Sequence, residues 1–153
     1  MGSYIGTNGA DNVASNLWPN VFGFDGADTF NIVHTFNTYP FIVAVYGGTG
    51  ADTISVSGGT VNAYIDGGTD NDVLTGGAND DVFIDGFGND QVSGGGGNDT
   101  AYLPYFFGLN GGYVTSGTAA NLTLSGFNGT DSYSSIETFV FADGTTRTAA
   151  QVL

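Results

Sequence analysis

Fourteen of the 153 residues are aspartate, and their placement is periodic. From Gly67 the chain divides into four adjoining nonapeptides: GGTDNDVLT, GGANDDVFI, DGFGNDQVS and GGGGNDTAY. Each carries aspartate at its sixth place: Asp72, Asp81, Asp90 and Asp99. Looser copies begin at Gly6, Gly23, Gly47 and Gly126, with Asp11, Asp28, Asp52 and Asp131 in the same place. A copy at Gly58 keeps the spacing but carries Ala63 there. Carboxylates repeated at a fixed interval among glycines are oxygen donors for a hard cation, and other chemistries lack their parts. His34 is the single histidine, with no Ser/Asp constellation around it in the sequence, so a catalytic triad is not expected. The pairs Asp70/Asp72 and Asp80/Asp81 have the residue types for glycoside hydrolysis, but in a Gly-Asp turn array a metal or solvated-turn role fits better. Asp70-Asn71-Asp72 lacks the rest of an EF-hand loop with its terminal Glu. The glycine runs lack the Lys-Ser/Thr of a phosphate loop, and there is no cysteine for a thiolate nucleophile or a disulfide.

The elements that would position these carboxylates follow from the period. The first six residues of each repeat, rich in Gly, Asn and Asp, favour a tight turn with positive φ. The remaining three make a short strand whose middle side chain points inward. Two units close a coil of about 18 residues, and coils stack about 4.8 Å apart as parallel strands. The eighth-place residues Leu74, Phe83 and Val92 then fill the interior, with only Ala101 in the fourth unit. Stacking puts carboxylates one strand spacing apart, where each pair repels by roughly 1 kcal/mol in water and about 3.5 kcal/mol at an effective dielectric of about 20. A row of them needs a cation between neighbouring coils. Calcium, which takes roughly six to eight oxygens in flexible geometry, suits turns built largely of backbone; magnesium, with its stricter octahedron, suits them less.

The pattern G-G-x-G-x-D-x-U-x, with U a large apolar residue, resembles the RTX (repeats-in-toxin) haemolysin-type calcium-binding repeat, closely from Gly6 to Tyr102 and more loosely beyond. The resemblance implies an all-β parallel β-roll, a β-solenoid, holding several Ca²⁺ ions. It implies ligands from Asp11, Asp28, Asp52, Asp72, Asp81, Asp90 and Asp99. It also implies turn oxygens at Gly26, Gly47, Gly50, Gly67, Thr69, Gly76, Ala78, Asp85, Phe87, Gly88, Gly94 and Gly96. The carboxyl groups of Asp25, Asp66, Asp70, Asp80 and Asp85 fall outside the sixth place and are expected to be solvated or to lie behind the ligands. Turn starts at 6, 23, 47, 67 and 85 are separated by 17, 24, 20 and 18 residues, and read as one column. The turns at 58, 76 and 94 form the opposite column, so one edge should be calcium-laced along its length and the other only in its second half.

The first half has longer strands, with Phe41, Val43 and Val45 facing in. Trp18, Phe22, Phe24, Tyr39 and Phe41 are expected to close the open end of the roll, the alternative being an exposed aromatic patch for carbohydrate. After Tyr102 the period lapses. Strands are expected at 112–115 and 121–125 around a Ser-Gly-Thr turn, followed by Ile136-Glu137, an alternating Phe139/Phe141 strand that covers the lower end, and Asp143-Gly144. This ending is similar to the tail that often follows RTX repeats, where carboxy-terminal segments also serve as type I secretion signals. The expected organisation is a single domain over 1–153, with repeat coils at 6–102 and a carboxy-terminal cap at 103–153.

A formal net charge of −14, with one Arg and no Lys, argues against nucleic acid and anionic membranes. No apolar run is long enough to span a bilayer as a helix. The start MGSYIGTNG has neither a basic nor an apolar signal-peptide region. The leading expectation is a secreted calcium-binding module without enzymatic activity, extracellular or on a bacterial surface. Its expected partners are calcium, a type I exporter, and a cell-surface or carbohydrate ligand. Competing readings are the calcium-binding module of a larger secreted protease, lipase or alginate epimerase, and an adhesive or ice-binding surface. The last is disfavoured by the uneven placement of Thr29, Thr53, Thr75 and Thr100.

Overall fold

The computed structural model describes residues 3–15, 20–34, 42–58, 61–105 and 113–153. Odd and even strands of the repeat region alternate between two sheets. The first sheet holds β1 (Tyr4–Ile5), β3 (Asn20–Asp25), β5 (Ile42–Thr49), β7 (Asn62–Thr69), β9 (Val82–Phe87), β11 (Thr100–Leu103), β15 (Thr138–Phe141) and β16 (Thr146–Thr148), hydrogen-bonded in that order. The second holds β2 (Asn12–Ser15), β4 (Thr29–Val33), β6 (Thr53–Ser57), β8 (Val73–Thr75), β10 (Gln91–Ser93), β14 (Thr130–Ser134), β13 (Asn121–Ser125) and β12 (Val114–Thr118). Pairing within the roll is parallel throughout, so the fold is a β-solenoid whose turns lie in two columns along its edges.

Strand alternation fills the space between the sheets. Phe30, Ile32, Ile54, Leu74, Val21, Val43, Val45, Ile65 and Phe83 are fully buried, while their sequence neighbours face outward. Ala101 is small for a geometric reason: it stands in register between Phe83 and Phe139, two large rings of adjacent rungs. The glycines at the sheet ends are equally constrained. Gly68 has φ +105 and its α-carbon faces the Gly48 carbonyl, so a side chain there would meet backbone.

The expected aromatic plug does not form where the residues are described. Phe22 follows buried Val21 and therefore points out of the first sheet, stacked on Tyr46 at 5.0 Å, with Tyr64 beyond at 5.7 Å. Phe24 is exposed at φ +81. Trp18, Tyr39 and Phe41 lie outside the described residues.

The coils resume after the lapse in period. β12 and β13 form an antiparallel hairpin on β14, which pairs parallel with β10. The hairpin turns at Ala119-Ala120, not at Ser116-Gly117-Thr118: Gly117 stays inside β12 at φ +106, and Thr118 pairs with Asn121. β15 adds to the first sheet beneath β11, burying Phe139 and Phe141. The antiparallel β16 and α1 (Ala149–Val152) complete this end, with Ala149 and Val152 in the core.

Candidate metal centre: two ladders of buried carboxylates

Each column of turns is held by a ladder in which a sixth-place aspartate accepts the backbone N–H of its counterpart one coil earlier. In the first column Asp11 N–H donates to Asp28 Oδ1 at 2.7 Å, Asp28 to Asp52 at 2.7 Å, Asp52 to Asp72 at 2.8 Å and Asp72 to Asp90 at 2.8 Å. The ladder then jumps 41 residues, with Asp90 N–H donating to Asp131 Oδ1 at 3.1 Å. In the second column Ala63 N–H donates to Asp81, Asp81 to Asp99, and Asp99 to Glu137 Oε2. The carbonyls are used in the same way: Asp28 O accepts from Thr53, Asp52 O from Val73 and Asp72 O from Gln91. Turn backbone is thus satisfied by the stacking itself.

At five rungs one carboxylate oxygen is left over. Oδ2 of Asp28, Asp52, Asp72, Asp90 and Asp99 is buried with no hydrogen-bond partner. Asp81 Oδ2 accepts from Gly77 N–H, and Asp11 Oδ2 from Thr7. Beside the orphans of Asp28, Asp52, Asp72 and Asp99 lies the first glycine of the turn, whose missing side chain keeps a space open. A Cβ on Gly47 would strike both Asp52 Oδ2 and the Gly67 carbonyl, and one on Gly76 both Asp81 Oδ2 and the Gly94 carbonyl. The same pairing recurs at Gly23, with Asp28 and the Gly47 carbonyl, and at Gly67, with Asp72 and the Asp85 carbonyl. A carboxylate oxygen therefore sits beside a carbonyl oxygen of the next coil at one rung after another. Two acceptors facing each other without a donor repel, and a hard cation resolves the repulsion by accepting both. The residues present fit calcium.

The electrostatics agree. Burial, reinforced by like-charged neighbours, pushes Asp72 up to about 8 and Asp52 and Asp99 up to about 6, against the backbone N–H each accepts. Burial likewise takes Asp90 and Asp131 to about 6. With no cation, burial in the folded turns disfavours the charged form of these carboxylates.

The other candidate residues occupy varied places. Asp25 is exposed and accepts the Thr49 hydroxyl at 2.9 Å. Asp70 and Asp80 are also exposed, and they tie coils together by accepting from Gly50 and Asn98 N–H. Gly26, Gly50, Gly88, Ala78 and Gly96 lie in the turns, with Gly50 on the Gly26 carbonyl, Gly88 on the Asp70 carbonyl and Gly96 against Ala78, while Thr69 and Phe87 end β7 and β9 and pair in register. Neither ring nitrogen of His34 has a partner among the described residues. The carboxyl group of Asp85 is not solvated: it is buried, because its residue takes the first place of a turn, next to the core, where the other turns carry glycine. It accepts from Gly86 N–H at 2.9 Å and from the Tyr133 hydroxyl, and burial pushes it up to about 7.

Asp131 and Glu137 are the ladder members that the two columns of turn starts omit. Asp131 carries its signal, the sixth place of GFNGTD, but its turn follows a long excursion. A further outer ladder, Asn89 N–H to Asn71 Oδ1 and Thr130 N–H to Asn89 Oδ1, is legible as asparagine in the fifth place.

Residues 45–60 and 66–101 match the family model of the RTX calcium-binding nonapeptide repeat, in four copies. No curated protein and no solved structure matches significantly. The chain carries RTX repeats across the middle of its ladders, and the ion these repeats bind is Ca²⁺.

Proposed function

We propose that this calcium-binding β-roll is a secreted module without enzymatic activity, which is unfolded at resting intracellular calcium and folds when it meets calcium outside the cell. The observation that carries the reading is the row of buried, donorless Oδ2 atoms along one edge. In a chain of net charge −14, such a row opposes folding until a cation arrives. A site that exists only in the folded chain turns binding free energy into folding free energy. Extracellular calcium modules bind at about 10⁻⁴–10⁻³ M, well above resting cytosolic levels. That gap favours a chain that is threaded unfolded through a type I exporter and acts outside the cell or at a bacterial surface.

The test is a calcium titration followed by circular dichroism and hydrodynamic radius. The expected result is a coil-like chain in EGTA and a compact β-fold in millimolar calcium. A compact β-fold that persists in excess EGTA at low salt overturns the proposed switch.

A further inference from the structure

We propose that Asp85, Asp90 and Asp131 form a cation site of their own, a three-carboxylate clamp that locks the carboxy-terminal coil onto the repeat coils. It rests on the calcium reading above but differs in composition from the repeat turns, where one carboxylate faces backbone carbonyls. One oxygen from each of the three residues lies within 4.8 Å of the others, and all three residues are buried.

Two further observations point to a ligand here. In the neighbouring turns the orphan Oδ2 faces the first residue of its own turn, a glycine; in this turn that residue is Asp85. The donorless Oδ2 of Asp90, in a residue 1% exposed, thus belongs to a turn whose first residue carries a carboxylate where its counterparts have an open cradle. Beside it Asn128, 7% exposed, sends Nδ2 to Asp131 Oδ2 and to the Gly86 carbonyl while its own Oδ1 is buried without a partner. The corner gathers three buried acidic groups, with Asp90 Oδ2 and the Asn128 amide oxygen both lacking a donor, the oxygen-rich set a hard cation takes. Tyr133 fixes its geometry from the core side, its hydroxyl donating to Asp85 Oδ2 and its ring set edge-on to Phe139 at 5.2 Å. Asp85 and Asp90 belong to the repeats and Asp131 to the turn before β14, so an ion here ties segments 41 residues apart. Three negative ligands favour a trivalent ion over Ca²⁺ more strongly than the single-carboxylate turns do.

The experiment uses the full chain with calcium alone and with terbium alone. Calorimetric calcium titrations compare the native protein with Asp85→Asn, Asp85→Gly and, as control, Asp25→Asn. Asp85→Gly restores the glycine of the other turns, so its turn keeps its backbone. Loss or a weakening of about tenfold or more of one binding component in both Asp85 variants, with the rest of the isotherm intact, is the expected result. Terbium excited through tyrosine should luminesce from the first equivalent, and Tyr133→Phe should remove most of that early signal without changing stoichiometry. Unchanged calcium binding in the Asp85 variants overturns the clamp while leaving the repeat sites standing. So does early terbium emission that is indifferent to Tyr133, which decides the matter should the Asp85 variants not fold. Absence of calcium binding by the native chain overturns the repeat reading instead.

Discussion

Asp72→Asn should change sign with calcium. Asp72 Oδ1 accepts Asp52 N–H, an acceptor role that the amide oxygen of asparagine preserves. Its Oδ2 lies beside the Asp85 carbonyl, and an amide nitrogen there replaces a repulsive contact with a donor. In the unfolded chain the carboxyl titrates near 3.8; in the fold it is pushed up to about 8. At pH 7 without metal, holding it in the fold spans about 3 pH units, about 4 kcal/mol at roughly 1.4 kcal/mol per unit, and solvent screening at the turn halves this to about 2 kcal/mol. Asparagine removes that cost. With calcium the same change deletes a charged ligand from a buried site, at about 3–5 kcal/mol by analogy with breaking a buried ion pair. The assay is chemical unfolding by circular dichroism in millimolar calcium, paired with an osmolyte-induced folding titration in EGTA, which needs no folded starting state. The variant should unfold earlier than native in the first and fold at lower osmolyte in the second. Destabilisation of equal size in both buffers would refute the argument that the bare carboxylate is a liability.

Asp90→Ala should abolish most calcium-induced ellipticity, whereas Asp25→Ala, which removes one exposed contact to Thr49, should cost no more than about 1 kcal/mol in the same measurement. Gly47→Ala should weaken calcium binding with little change to the calcium-free chain, because its Cβ enters the space between Asp52 and the Gly67 carbonyl; calorimetry reads the loss. Several buried aspartates titrate at about 6 to about 8 in the fold against 3.8 unfolded, so the folded state binds more protons through that window. Calcium-free stability should therefore fall as pH rises from about 4 to about 8, while calcium affinity rises, both readable by circular dichroism across pH.

The fold is legible because the solenoid writes its geometry as a period. The turn separations of 17, 24, 20 and 18 residues counted along the sequence recur as the separations across the aspartate ladder. What escapes lies where a contact is not local. Asp131 joins the ladder 41 residues after Asp90, with the β12–β13 hairpin and an undescribed stretch between, and no fixed spacing announces it. Asp85 looks like a flaw in the consensus because a nonapeptide reading assigns no work to the side chain at its first place. Phe22 departs from expectation for a simpler reason: aromatic bulk suggests a plug, while strand parity beside Val21 assigns it to the outside.

The antiparallel ending bears on self-association. A solenoid of parallel strands in register has translational symmetry along its axis, so the last rung of one molecule is shaped to receive the first rung of another, and a head-to-tail contact of that kind does not close. Here the symmetry is broken at the carboxy-terminal end. β13 and β16 run against the stack, β12 folds back on β13 as the outer strand of the second sheet, and α1 lies with its buried face on the core. An incoming first rung, with strands as short as Tyr4–Ile5, meets an edge of opposite direction at β16 and, in the second sheet, β12, which a hairpin has carried out of the coil repeat. The hairpin and the final strand thus act as a stop codon for stacking. A roll cut after β11 would present bare parallel edges at β10 and β11 and be expected to grow into filaments.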